Sequence, residues 1–346
     1  MESKSKAVVL IDPMVNINYA SFYIQGLYDV FGEKNVRFST GPFIGLENRV
    51  MAFNFVVKEG NGIKKYTIDF NDFCTVKEKE YDWCDAYGHV NANFAQIPER
   101  FHAKLISLVP SFGVRLWNAP ETICCACTNA VKAKGGGNLR KFLGKYKKQL
   151  ADRVPYDEYM YHDLASEDEY IFHISTLWYN DEWNKNDENV NLVRYRFIRA
   201  CQSLSGVRFE GGLSASPGNA LNSKFADAIF SGRLSVDEYI KRTKRSAVVF
   251  NTPAFWNCHG WKLGEYMALG KAIISTSLYN DLPCPLEHGR NIHFVDNNEN
   301  EMKKAVSLLM NDPLYRKKLE DGANAYWNEW GTPVKSLELL GIKRIE

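Results

Sequence analysis

No stretch of the chain approaches the roughly 18 to 20 consecutive apolar residues that span a bilayer. The first apolar run, Ala7 to Ile11, stops at Asp12 and Pro13, too short for the core of a secretory signal, so a cytoplasmic protein is expected. An excess of charge of either sign is missing as well. The 43 Lys and Arg face 41 Asp and Glu, a formal +2, too little for the basic field on which phosphate-backbone binders rely, and no nucleic-acid partner is expected. The 8 cysteines carry no secretion context and are expected to remain thiols. Cys124, Cys125 and Cys127 contain a C-x-x-C spacing, yet no second Cys or His pair stands at zinc-site distance, and no metal site is expected.

Common nucleotide and hydrolase signatures are also absent. After the first strand the chain reads Asp12-Pro13-Met14-Val15 in place of G-x-G-x-x-G, which argues against a dinucleotide-binding dehydrogenase. Gly264 to Lys271 has one residue too many between its glycines for a phosphate loop, and Ala272 replaces the metal-binding Ser or Thr. Neither G-x-S-x-G nor H-E-x-x-H occurs. Glu167-Asp168-Glu169 precedes its strand and reads as a solvated charge run.

What is present is an ordinary globular composition, 45% apolar and 24% charged, which excludes disorder. At about 150 residues per domain, 346 residues imply two domains. Aromatics make up 13%, a share that suits both cores and polar ligand sites. The first half reads as strand Ala7 to Ile11, helix Tyr19 to Phe31 and strand Val36 to Ser39. A hairpin of Arg49 to Lys58 with Ile63 to Phe70 follows, then strands Ala86 to Val90 and Leu105 to Val109 and helices Ala119 to Ala133 and Asn138 to Leu150. Gly135 to Gly137, the basic helix after them and the acidic, Tyr-rich Pro155 to Glu169 mark the sharpest composition shift. The domain boundary is placed there, near residue 165.

The second half alternates more regularly. Strands Tyr170 to Ser175, Val207 to Glu210, Ala247 to Asn251, Lys271 to Ser275 and Asn291 to Val295 are interleaved with helices Asn189 to Ser203, Val236 to Lys244 and Trp261 to Leu269. Helices Glu299 to Asn311 and Pro313 to about Glu329 close the chain. Such alternation predicts a parallel sheet covered on both faces, with ligands outside the carboxyl ends of its strands.

The stretch richest in chemistry is Ala247 to Ser275, where a buried strand and a loop deliver the helix beginning at Trp261 to that edge. His259 and Gly260 stand at the helix N-terminus, whose free N–H groups and positive dipole end suit a diphosphate. Lys262 adds a point charge, and Glu265, about 60° around the helix, offers a carboxylate to a diol. Trp178, Trp256 and Trp261 are candidates to line sugar or base pockets.

Lys262-x-x-Glu265-Tyr266-Met267-Ala268-x-Gly270-Lys271-x-Ile273-Ile274-Ser275 resembles the donor-binding half of GT-B-fold glycosyltransferases of the group-1 type, which build bacterial surface polysaccharides. Leu286 to Val295 is similar to the family's E-x-G-x-N-x-x-x-V strand. Asn311 to Arg316 with Leu319 resembles its terminal helix pair, and Gly232 to Ser235 with Glu238, Tyr239 and Ser246 an upstream segment. The likeness covers about Tyr170 to Trp330. It implies an α/β protein of two Rossmann-like domains facing a cleft. Residues 1–165 would bind the acceptor and 166–346 the nucleotide-sugar, with the final helix packing back on the first domain.

The implied activity moves a sugar from a nucleotide-sugar to a hydroxyl of a saccharide or lipid-linked glycan in capsule, O-antigen or related polysaccharide synthesis. The rivals are a nucleotide-sugar epimerase on the same fold and a catalytically silent carbohydrate-binding protein. The resemblance gives Glu265 the ribose hydroxyls. It places Asn257 where many retaining members carry a Glu, which leaves the stereochemical outcome open. A basic residue for the leaving diphosphate is sought among Arg194, Arg196 and Arg199, with Arg194 favoured. His89 and Asp12, at strand ends in the first domain, are the candidate general bases. No cofactor and no metal is expected, and the basic helix Arg140 to Lys148 is where peripheral contact with the inner membrane would fall.

Overall fold

The computed structural model describes residues 7–133, 138–160, 166–178, 184–215, 218 and 221–343. They fall into two compact units. The first comprises Met1–Glu158, Asp281–Cys284 and Glu329–Glu346, the second Tyr159–Asn280 and Pro285–Asn328.

In the first unit the order is β1 (Val8–Ile11), α1 (Ile17–Phe31), β2 (Val36–Phe38), β3 (Ala52–Glu59), β4 (Gly62–Asp69), α2 (Glu78–Trp83), β5 (Ala86–His89), β6 (Leu105–Ser107), α3 (Ala119–Lys132) and α4 (Leu139–Ala151). The strands form one sheet ordered β2-β1-β3-β4-β5-β6. The expected hairpin is present as β3 and β4, and it sits mid-sheet: β1 with β3 and β3 with β4 pair antiparallel, while β1 with β2, β4 with β5 and β5 with β6 pair parallel. Phe53 and Phe55 share a face at the two-residue period of a strand. Their rings stack 5.1 Å apart and continue to Tyr66 at 4.9 Å. α1 packs Tyr23 against Phe53. Gly26 lets the C-terminal helix Pro333–Leu339 lie directly on α1, since a Cβ there would stand 2.6 Å from the Pro333 carbonyl oxygen.

The second unit contains β7 (Tyr170–Thr176), α5 (Asn184–Gln202), β8 (Arg208–Ser214), α6 (Val236–Arg245), β9 (Val248–Asn251), α7 (Trp261–Ala268), β10 (Ala272–Ser275), β11 (His293–Phe294), α8 (Glu299–Asn311) and α9 (Pro313–Tyr326). All its strand pairs are parallel. β7 lies beside β9, tied by the Ala247 N–H to the Tyr170 carbonyl at 2.8 Å. Next to that bond the Ser246 hydroxyl replaces a ladder contact, accepting from the Phe172 N–H at 2.9 Å and donating to the Val248 carbonyl at 2.6 Å. The spatial order is therefore β8-β7-β9-β10-β11, a doubly wound arrangement whose connections diverge between β7 and β9. On one face Val248, Phe250, Ala272 and Ile274 pack with Phe197 of α5 and Val306 of α8.

Three details go beyond the sequence reading or differ from it. Glu167-Asp168-Glu169 is solvent-accessible as expected, and it is also paired: Glu167 with Arg245 at 2.6 Å and with Arg208, and Asp168 with Arg316. Those arginines come from distant segments, which local composition does not reveal. α5 begins at Asn184, five residues before the apolar periodicity. β11 spans only His293–Phe294 because the His288 and Ile292 bridge turns the chain just ahead of it. Among the described residues no helix is long and apolar enough to cross a membrane.

Candidate functional site

α7 is short, and six of its eight residues are buried, the pattern of a helix packed on most sides. Gly260 caps it without a side-chain bond, and Gly270, at φ 59°, ends it in the left-handed conformation that suits glycine. The strand, loop and helix therefore place the start of α7 beside the carboxyl ends of β7 and β9, at the divergence point of the sheet.

A cavity of about 190 Å3 opens there. Its walls are His173, Ser175 and Thr176 at the end of β7 with Trp178 beyond it, Asn251 at the end of β9 with Thr252 beyond it, Gly260 to Lys262 at the start of α7, and Arg194 from α5. Two of the described lining residues are cations and none is a carboxylate. Both cations are held by carbonyls of β7: Thr176 accepts from Arg194 Nη1 at 3.0 Å and Ile174 accepts from Lys262 Nζ. Burial is the first cause that lowers the Lys262 ammonium to about 7; the neighbouring Arg194 lowers it further and Glu265 opposes the change. Burial likewise lowers Arg194, to about 10. The His173 imidazole is held well below its usual range by burial and then by these two cations. Positive charge is thus removed from water with too little negative charge beside it, a costly state that an anion relieves.

Glu265 is buried at 8% exposure, and its Oε2 accepts from the Tyr239 hydroxyl at 2.9 Å. It does not line the cavity. Tyr239 lines a second cavity of about 860 Å3 with Ser214, Ser231, Arg233 and Ile174, the residue whose carbonyl holds Lys262.

No family model and no curated protein matches the chain. Among solved structures it is similar to HepE of Anabaena in complex with UDP, at 13% identity and a TM-score of 0.42 over 79% of this chain and 70% of that one. It is similar to TarM of S. aureus at 14% and 0.38, over 53% of this chain and only 37% of the TarM chain. The C-terminal domain of LpcC, a group-1 family glycosyl transferase of Francisella tularensis, matches at 14% and 0.36, over 50% of this chain and 95% of that domain. At these identities and TM-scores no ligand, residue role or activity is carried over from them.

The structure brings Arg194, Gly260, Trp261, Lys262 and Trp178 together and leaves the other expected residues elsewhere. Arg199, five residues from Arg194 and so about 140° around the helix, points away and pairs with Asp227 at 3.2 Å on the surface. Arg196 bonds Asn297. His259 is buried and does not line the cavity. Asn257 is exposed, and with Trp256 it forms a consecutive pair at positive φ, 59° and 56°. Such a pair costs about 1–2 kcal/mol per residue and occurs where surrounding structure enforces it.

Neither expected base has the geometry of one. His89 is fully buried and its Nδ1 accepts from the Asn91 N–H at 3.0 Å, so its neutral form keeps the proton on Nε2 and has no lone pair to offer. Asp12 is fully buried and bound two ways by Arg49, at 2.7 Å each.

Asn191 and Ser246 were not singled out as site residues. Asn191, fully buried, accepts from the Trp178 N–H at 3.1 Å and donates to its carbonyl at 2.7 Å, which fixes Trp178 against Phe255 at 5.2 Å. An Asn three residues before Arg194 on the same helix was the available signal.

Proposed function

We propose that the second unit binds a nucleoside diphosphate at the carboxyl edge of β7 and β9, and that the chain transfers a sugar from the corresponding nucleotide-sugar to an acceptor hydroxyl. The observation that carries this reading is the pair of cations, buried Arg194 and half-buried Lys262, in a cavity with no carboxylate among its described lining residues. A diphosphate is the ligand class that brings two adjacent negative groups, and the first N–H groups of α7 face the same space. Glu265, one turn further along α7, suits a ribose diol by residue type. The larger cavity beyond Ile174 has room for the nucleoside.

In the transfer, the bond between the anomeric carbon and the diphosphate oxygen breaks while the acceptor oxygen bonds to that carbon and loses its proton. Charge grows on the diphosphate as it leaves, and fixed cations stabilise that charge more than they stabilise the bound substrate. Because Arg194 and Lys262 already supply this field, transfer is expected to persist in excess EDTA. The acceptor would be a saccharide or lipid-linked glycan, and the first unit its binding half.

The test is thermal unfolding with UDP, GDP, dTDP, CMP and NAD. A ligand at about 100 times its Kd adds roughly 2.7 kcal/mol to the unit that binds it. A shift with one diphosphate that disappears in Arg194→Met supports the reading, and hydrolysis of the matching nucleotide-sugar supports transfer. Interconversion of that sugar without an acceptor would replace transferase by epimerase. A response to free oligosaccharide alone would leave a carbohydrate-binding protein.

A further inference from the structure

We propose that the paired helices α3 and α4 of the first unit form a docking surface for an anionic lipid membrane. Along α3, Ile123, Cys127 and Val131 recur every four residues, a spacing that stacks them on one helical face. All three are exposed, Ile123 at 62% and Val131 at 80%. The inward face of the same helix is already formed by the buried Thr122, Ala126 and Asn129, so the fold has no use for a second apolar stripe.

α4 repeats the pattern. Its buried face is Phe142, Tyr146 and Gln149, whereas Leu139 and Leu143 remain 52% and 37% exposed. Val131 near the end of α3 and Leu139 at the start of α4 bring the two stripes toward one end of the pair.

Charge decides what the stripe meets. Arg140, Lys141, Lys147 and Lys148 are exposed on α4, which has no acidic residue between Leu139 and Ala151. The chain as a whole is nearly neutral at +2, so this concentration is local. The one acidic residue of α3, Glu121, sits in its first turn, locked in a capping box with Asn118 at the end away from Val131. Lysine is depleted from protein–protein interfaces. Aliphatic side chains flanked by Lys and Arg instead match the boundary between acyl chains and anionic headgroups, where each cation contributes about a fivefold gain in binding.

The experiment is flotation of the full chain with vesicles of phosphatidylcholine and phosphatidylglycerol at low salt. The protein should float with these vesicles, much less with phosphatidylcholine alone, and should be released as salt shortens the screening length. Arg140→Gln with Lys147→Gln should weaken partitioning about 25-fold, two cations at about fivefold each. Ile123→Ser with Val131→Ser should weaken it at unchanged Tm, since both side chains are exposed. The nucleotide-induced thermal shift should be the same in every variant, which separates this surface from the cavity in the second unit. Absence of flotation with anionic vesicles overturns the proposal, as does flotation that the substitutions leave unchanged. A self-association that the same substitutions abolish, without vesicle binding, would assign the stripe to a second copy of the chain.

Discussion

Each unit gathers charge at the carboxyl end of its first strand, and the two ends are handled in opposite ways. After β1, Asp12 is closed off: Oδ1 accepts from the Met14 N–H at 3.0 Å, and Arg49 grips both oxygens. At the end of β7, Arg194 and Lys262 rest on backbone carbonyls and face a cavity with no carboxylate among its described lining residues. Both places satisfy the usual description of a site, a buried titratable group at a strand end. Only the second leaves charge uncompensated, and an uncompensated charge has something to gain from a ligand. Residue type and strand position therefore do not identify a site until the partners are counted.

The largest effect that would break this contrast is on the closed side. Arg49→Met would leave the Asp12 carboxylate buried without its partner, a loss of about 3–5 kcal/mol in the first unit, measured by denaturant unfolding. Burial raises the Asp12 carboxyl above its ordinary value even with Arg49 present, and without Arg49 it would rise further. A folded-state value above the unfolded one means the native state holds the proton more tightly, so the loss should shrink as pH falls. The nucleotide response of the second unit should survive the substitution. If Arg49→Met costs nothing, the ion pair is not what keeps Asp12 buried.

On the open side the sign reverses. Arg194→Met and Lys262→Met remove cations, one buried and one half-buried, that have no counter-charge among the described lining residues, so stability should hold or rise. Nucleotide affinity should fall by roughly 1.5–3 kcal/mol, a charge-assisted hydrogen bond each. Calorimetry and thermal unfolding on the same samples check both halves, and a variant that loses stability together with affinity would make the cations structural. Glu265→Gln should fall below these, at about tenfold weaker binding (1.4 kcal/mol), because it removes a ribose partner but also removes a negative charge that partly neutralises Lys262. Unchanged affinity would sever Glu265 from the ligand.

The sequence made much of this legible, and the misses have a common cause. Alternation and glycine placement located β9, α7 and β10 nearly to the residue, and the helix start at Gly260 with Lys262 two positions on was readable because both are local. Arg199 failed on helix phase, a quantity the sequence does contain. His89 and Asp12 failed because their partners, the Asn91 N–H and Arg49, are visible only once β-pairing and loop closure are known. The tie through Ser246 was hidden for the same reason, since it joins β7 to a residue 74 positions away.

The smallest predicted effect separates the two sides most finely, because it asks one residue to respond to pH in two directions. Lys262 titrates near 7 in the free protein against an ordinary value of 10.5. Between those values the unfolded chain holds a proton that the folded unit does not, so the second unit should gain stability as pH rises from about 7 to 10. A bound diphosphate pulls the ammonium back to its charged form, so binding takes up a proton and affinity should fall over the same range, by about fivefold (1 kcal/mol) between pH 7 and 8. Titration of the phosphate does not explain such a fall, since a more ionised phosphate would bind cations more tightly. His173 is held neutral well below this range and contributes to neither trend. Calorimetry in buffers of different ionisation enthalpy measures the proton uptake directly. Lys262→Met should abolish both the uptake and the opposing slopes, and slopes that persist in that variant would place the titrating group elsewhere.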